Sequence, residues 1–249
     1  MSAAQLFLAM TFSVSLIFFT EEANADTAGA SVVFVGCPGD GQTGPVPPPE
    51  GTPVLVKVES KVASRLAYYR GEFGPGTFAP KGWQCRLWYG SNGSFLIVTP
   101  TAPPATFPPH PISAEGVVIM GRDGETSGRF EVAEISARFF PDVMKEFIQY
   151  VKDEKLTQSN IETKPYPQDV INKVSDRMVE FTTPANLDGF GTGMFAKSDQ
   201  SIRGVAALSP ESEGPNIIVL RMRLAKEQRS LTDPIIKIME SCIQKSTGC

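Results

Sequence analysis

Four cysteines and one histidine are the side chains with the widest chemical reach in this sequence: Cys37, Cys85, Cys242, Cys249 and His110. Zinc needs clustered ligands, usually cysteine pairs a few residues apart. The four cysteines are too widely spaced for that, and His110 stands elsewhere, inside Pro108-Pro109-His110-Pro111. A Ser-His-Asp or Cys-His nucleophile would have to use this histidine, whose imidazole must be held by a packed partner. A proline-rich connector offers no such packing, so His110 reads as a solvated loop residue. Gln84-Cys85 lacks the flanking motif of a cysteine-protease nucleophile. Paired cysteines suit an exported chain, because that compartment is oxidising. Cys37 and Cys85 both sit among glycines in the N-terminal half and are the favoured pair. Closing so long a loop stabilises by about 4 kcal/mol on the chain-entropy account. Cys242 falls on a predicted C-terminal helix, with Cys249 either its local partner or a free thiol.

Carboxylate chemistry stays open, since Asp and Glu pairs assemble in space rather than in sequence. A hydrolase of that kind needs one carboxyl with a raised pKa facing an ionised one across a groove. The glycine-rich strings are less promising. Gly39 to Gly44 lacks the Lys-Ser/Thr ending of a phosphate loop, and Gly189 to Gly193 lacks dinucleotide spacing. Asp123-Gly124-Glu125 is too short for a calcium loop. Each reads as a turn, and no cofactor is predicted. Asn92-Gly93-Ser94 has the form of a glycosylation sequon, but Asn-Gly also marks a hairpin turn.

Aromatic residues concentrate in residues 68–95, where both tryptophans stand, with Arg70, Lys81 and Arg86 between them. Flat rings beside hydrogen-bonding side chains suit sugar rings or extended peptides, with cation–π contacts as a supplement. Strand alternation puts Trp83, Cys85, Leu87 and Tyr89 on one face, and Gln84, Arg86 and Trp88 on the other. Cys85 and Leu87 mark the first face as core. Trp83 is therefore expected to pack and Trp88 to face solvent. Tyr69, Arg70, Arg86 and Trp88 are the candidate binding residues, set against the plainer reading that the rings fill the core. Arg221, Arg223, Lys226 and Arg229 form a small basic stretch, expected as a solvated face or a contact for an anionic partner.

Residues 1–25 have the form of a cleavable secretory signal peptide. The uncharged apolar run Leu6 to Phe19 precedes Glu21-Glu22, and Ala23-Asn24-Ala25 fits the small-residue cleavage pattern. The run is shorter than the ~20 apolar residues of a spanning helix. Cleavage starts the working protein near Asp26, in the periplasm or outside the cell, with no stable membrane span. The leader carries two glutamates and no Lys or Arg, so the net charge of −4 becomes −2 on its removal. A nearly neutral chain has no global field for nucleic acid.

The elements that must position these residues follow from period and punctuation. Ser31 to Gly36 and the alternating Val54 to Glu59 read as strands, with loop over 38–53. Residues 62–70 fit either helix or strand, the spacing of Val62, Leu66 and Tyr69 favouring helix, and a loop over 71–82 follows. Trp83 to Tyr89 and Phe95 to Thr99 form the clearest hairpin. Val117 to Met120 and Arg129 to Ile135 read as a further strand pair. Pro141 to Lys155 and Leu231 to Gln244 are predicted helices, each with proline suited to its first turn. Arg177 to Phe181, Ser201 to Leu208 and Asn216 to Leu224 complete the strands. Their order predicts an α+β fold, a mostly antiparallel sheet with two or three helices. Residues 26–249 are expected as one domain, with a sub-boundary near 156–170 as the alternative.

The strings Ala79-Pro80-Lys81-Gly82-Trp83-Gln84-Cys85, Tyr89-Gly90-Ser91-Asn92-Gly93-Ser94 and Thr183 to Thr192 resemble exported bacterial proteins of no assigned activity. The resemblance covers most of the mature chain and implies no functional residues. The function expected is non-enzymatic binding or assembly in the envelope, with an envelope glycan or protein as partner. A carboxylate-dependent hydrolase of an envelope polymer is the alternative.

Overall fold

The computed structural model describes residues 29–106, 111–112, 115–154, 161, 166–209 and 215–245. Residues 1–25, expected as a signal peptide, together with His110, Cys249 and most of the segment 156–170, lie outside the described residues. The chain begins with β1 (Ala30–Gly36), β2 (Gly39–Gly41), β3 (Val54–Val56), a single helical turn α1 (Ser60–Ala63), β4 (Leu66–Arg70) and β5 (Thr77–Pro80). The hairpin β6 (Gln84–Gly90) and β7 (Gly93–Thr99) follows, then β8 (Gly116–Arg122), α2 (Arg129–Phe139) and α3 (Lys145–Asp153). The remainder is β9 (Val170–Ser175), β10 (Met178–Thr183), β11 (Ile202–Leu208), β12 (Ile217–Arg223) and α4 (Thr232–Gln244).

Among the described residues the strands form a four-stranded sheet, β3-β1-β4-β5, and an eight-stranded one, β2-β6-β7-β8-β12-β11-β10-β9. The fold is α+β. Both sheets are mixed, which corrects the expectation of a mostly antiparallel sheet. β1 runs parallel to β4, and β2 runs parallel to β6. Each parallel pair is joined by a long crossover that carries other strands: β2 and β3 lie between β1 and β4 in the chain, and β3 to β5 between β2 and β6. Among the described residues no helix is long and apolar enough to cross a membrane.

The apolar runs of β7, β8 and β12 are continuous rather than alternating because these strands are buried on both faces. Leu96, Val98, Val117, Ile119, Leu220 and Met222 enter one core, shared with the four-stranded sheet and with Ile235, Ile238 and Met239 of α4. Phe95, Ile97, Val118, Met120 and Val219 enter a second core against Val132 and Ile135 of α2, with Ile148 of α3. The eight-stranded sheet is thus the middle layer, and each face removes its apolar side chains from water, the main favourable term in folding.

Four expectations give way. Residues 66–70 are strand, not helix: Leu66 to Tyr69 are all buried between β1 and β5, so they show no amphipathic period. Residues 39–41 and 77–80, expected as loop, are strands that pair with β6 and β4. Arg129 to Ile135 is the start of α2, not a strand; the buried positions Val132, Ile135 and Ser136 follow helical spacing and continue past Ile135.

Candidate functional site

Cys37 and Cys85 form a disulfide, spanning 48 residues. It joins the end of β1 to β6, and so links the two sheets beside the β2–β6 pairing. Cys242 is disulfide-bonded as well. Among the described residues, no group of three or more His, Cys, Asp or Glu side chains is gathered as metal ligands.

The four candidate binding residues are not brought into one surface. Tyr69 is fully buried, and its hydroxyl donates to the Pro80 carbonyl at 2.9 Å. Burial pushes that phenol up to about 12, against the pull of nearby backbone N–H groups. Arg70 is exposed at the end of β4, beside Phe34, Tyr68 and Glu50 in a cavity of about 640 Å³ on the four-stranded sheet. Only Arg86 and Trp88 meet: the guanidinium carbon lies 5.6 Å from the indole centroid. Alternation put Trp88 on the correct face, but that face is not solvent. Trp88 is 5 % exposed and belongs to the second core, covered by the helical layer. Trp83 is buried too.

The basic stretch also divides. Lys226 and Arg229 are exposed, whereas Arg221 and Arg223 are buried on β12, facing the helical layer. The Arg221 guanidinium lies 4.2 Å from the Phe190 ring centroid, and its Nε donates to the Phe190 carbonyl at 3.2 Å. Arg223 lies 5.2 Å from the Phe195 centroid and donates to the Ala196 carbonyl. These cations are held by ring faces and backbone carbonyls, not solvated.

What the fold does build is a cleft on both sides of the β6–β7 turn. One cavity, about 640 Å³, has Trp88 and Phe95 beside Asp40, Asn92 and Ser127. The other, about 510 Å³, has Phe73 and Pro75 beside Thr43, Asp123 and Asn216. Gln42, Tyr89, Gly90, Ser91, Gly93 and Arg122 line both. Each lies in the range of about 300–1,000 Å³ typical of ligand sites, with aromatic walls and a few polar groups.

Local sequence explains how these residues converge. Ser91-Asn92 makes a two-residue turn between the paired Gly90 and Gly93. Gly93 has φ +121°, and a Cβ there would lie 2.2 Å from the Gly121 carbonyl oxygen, so only glycine fits between turn and β8. Gly74, at φ +78°, lets the 71–76 loop lie across β7; a Cβ there would meet Ser94 Oγ at 1.8 Å. That loop carries Phe73, which is 43 % exposed. The parallel β2–β6 pairing brings Asp40 and Gln42 alongside, with Gln42 N–H donating to the Tyr89 carbonyl at 3.1 Å.

The charged groups of the cleft are engaged within the fold. Arg122 Nε donates to the Glu131 carboxylate, and Nη1 donates to the carbonyls of Ser94 at 3.1 Å and Gly121 at 3.2 Å. Asp40 accepts the Gly41 N–H, and Asp123 accepts the Glu125 N–H, both at 2.8 Å. Two carboxyls with opposed shifts do exist, Glu180 on β10 and Glu240 on α4. Burial raises Glu240; for Glu180 burial is outweighed by hydrogen bonds with Lys237 and Glu240 together with the charges of Lys237 and Arg203, which hold it low. Lys237 Nζ donates to both, at 2.8 and 2.9 Å, and neither lines the cleft.

Sequence reasoning named the aromatic stretch but missed Phe73, Tyr89 and Gln42 as its surface members. The signal available was their position beside glycines, at Phe73-Gly74, Tyr89-Gly90 and Gly41-Gln42. No protein-family profile matches this chain, and no curated protein or solved structure is detectably similar to it.

Proposed function

We propose that this chain is an exported binding protein of the cell envelope, without a reaction of its own, and that its ligand occupies the cleft around the β6–β7 turn. The observation that carries this reading is the meeting of two aromatic-walled cavities at one turn, with Phe73 exposed and backed by Tyr89. The Cys37–Cys85 disulfide supports an oxidising compartment, and with it the reading of residues 1–25 as a leader. The position of Glu180 and Glu240 outside the cleft, under Lys237, favours binding over carboxylate-dependent hydrolysis.

The test is co-sedimentation. The full chain is expressed in an exporting host, and the mature protein is collected and mixed with insoluble envelope material. The reading expects a new N-terminus at Asp26, retention in the pellet, and no release of soluble fragments. Phe73→Ala weakens retention about tenfold, as loss of an aromatic contact residue does. Breakdown of the pellet, or equal retention of the variant, overturns it.

A further inference from the structure

The inference drawn here rests on the cleft being the ligand site. We infer that the ligand is an uncharged sugar chain longer than one ring, laid from one cavity to the other across Gly90.

The charge of the cleft comes first. Among the described residues that line it, Arg122 is the one cation, and it is paired with Glu131 and held by two backbone carbonyls, which disfavours an anionic polymer. Asp40 and Asp123 repel such a polymer and accept hydroxyl groups instead. The other polar side chains described there are amides and hydroxyls, among them Gln42, Ser91, Asn92 and Ser127 in one cavity and Thr43, Ser94, Ser209 and Asn216 in the other. Such groups both donate and accept, which is the pattern a sugar hydroxyl presents. The exposed ring of Phe73, backed by the half-buried Tyr89, supplies an apolar face for the C–H side of a sugar ring, while Trp88 and Phe95 form the buried floor of the other cavity.

Gly90 makes the passage. It lines both cavities, and a Cβ placed on it would lie 3.6 Å from Asn92 Oδ1 and 3.9 Å from Gln42 Oε1. Those are ordinary contact distances, so the fold itself does not need glycine there. A side chain at this position would stand between the two amides, where the ligand crosses.

An extended peptide is the rival occupant, and it would bind by adding a strand to a free edge. The edge beside the cleft is already filled. β2 pairs with β6, and β2 is closed in turn by Val46, whose N–H and carbonyl both bond Gly39, at 2.9 and 3.0 Å.

The experiment is calorimetric titration of the mature protein with cellotetraose, maltotetraose and the tetramer of N-acetylglucosamine, and with the corresponding monosaccharides. A tetragalacturonate and an uncharged octapeptide are titrated alongside. The expected result is that at least one neutral tetramer binds at least about tenfold more tightly than its monomer, a difference read directly as Kd. Added salt leaves that affinity unchanged. Gly90→Val brings tetramer and monomer affinities together, and Gln42→Leu lowers tetramer affinity without altering a backbone glycine. Lys197→Ala, at the other end of the sheet, changes nothing. Binding of no neutral tetramer, or binding of the tetragalacturonate or the octapeptide in its place, overturns the inference. If Phe73-dependent co-sedimentation persists in that case, only the ligand class is wrong; if it fails too, the cleft is not the site.

Discussion

The ring of Phe73 lies 4.5 Å from the ring of Tyr89, centroid to centroid, tilted by 41°. Tyr89 is fixed at its far end. Its hydroxyl donates to the Gly44 carbonyl at 2.5 Å and shares a second hydrogen bond with Thr43 Oγ1 at 2.8 Å. An exposed ring is therefore backed by an anchored one, and the same anchor holds the turn that follows β2 against β6.

Tyr89→Phe keeps the ring and removes both hydrogen bonds. At about 1 kcal/mol net for each, stability falls by about 1–2 kcal/mol in urea. Amide exchange should quicken at Gly44 and Val46, whose N–H groups close the turn after β2. Unchanged exchange there would mean that the turn is held by its backbone bonds alone.

The Cys37–Cys85 bond acts on the unfolded chain. A 48-residue separation corresponds to about 4 kcal/mol on the chain-entropy account. The Cys37→Ser/Cys85→Ser double variant is expected to lose a comparable amount, read as a lower urea midpoint. Because Cys37 is fully buried beside the β2–β6 pairing, loss of the bond also loosens the cleft. A double variant as stable as the parent contradicts this.

Glu180 and Glu240 predict opposite responses to neutralisation. A carboxyl raised by burial, as in Glu240, opposes folding progressively as pH rises above its unfolded value, and fully once pH exceeds its folded one. Glu240→Gln should therefore match or exceed the parent at neutral pH, and the two should converge below about pH 4. A depressed carboxyl, as in Glu180, stabilises above its unfolded value, and that contribution is lost as pH falls through the folded one. Glu180→Gln should be the less stable protein at neutral pH, by up to about 1 kcal/mol for partly screened ion pairs. Its deficit should fade in acid. Urea midpoints across this range read both signs.

Arg221 is a buried cation whose guanidinium burial lowers to about 10. Its hold is the Phe190 ring and carbonyl. Arg221→Met keeps most of the volume and forfeits the hydrogen bond, a loss of about 1–3 kcal/mol. Arg221→Ala adds a cavity and should cost more, about 2–5 kcal/mol for a large-to-small change in a core. Thermal unfolding of the two variants ranks them; the reverse order would mean that the site collapses around alanine.

Much of the scaffold was legible in the chain. The β6–β7 hairpin carried Asn-Gly at its turn, and α3 and α4 carried apolar residues at helical spacing. The Cys37–Cys85 bond followed from even cysteine count and neighbouring glycines. The misreadings have separate physical sources. Period reports burial of one face, and β4 is buried on both, so Leu66 and Tyr69, at helical spacing from Val62 of α1, carried the helix reading into a strand. In Arg129 to Ile135, Phe130 and Val132 mimicked strand alternation over a stretch too short to decide. Trp88 shared its face with Gln84 and Arg86, which hid the helical layer over it. The cleft was illegible for a different reason: Gln42, Phe73 and Tyr89 meet only through the β2–β6 pairing and the glycine loops, which no local pattern announces.

Tryptophan emission reports directly on whether ligand occupies the cleft. The chain has two tryptophans, so Trp83→Phe leaves Trp88 as the only reporter, in the wall of the cleft. Its fluorescence is recorded as the neutral tetrasaccharides are added. The account predicts a saturable change in emission that Phe73→Ala shifts to about tenfold higher concentration. Calorimetric binding that leaves Trp88 emission untouched would contradict it, because the ligand would then sit elsewhere on the protein.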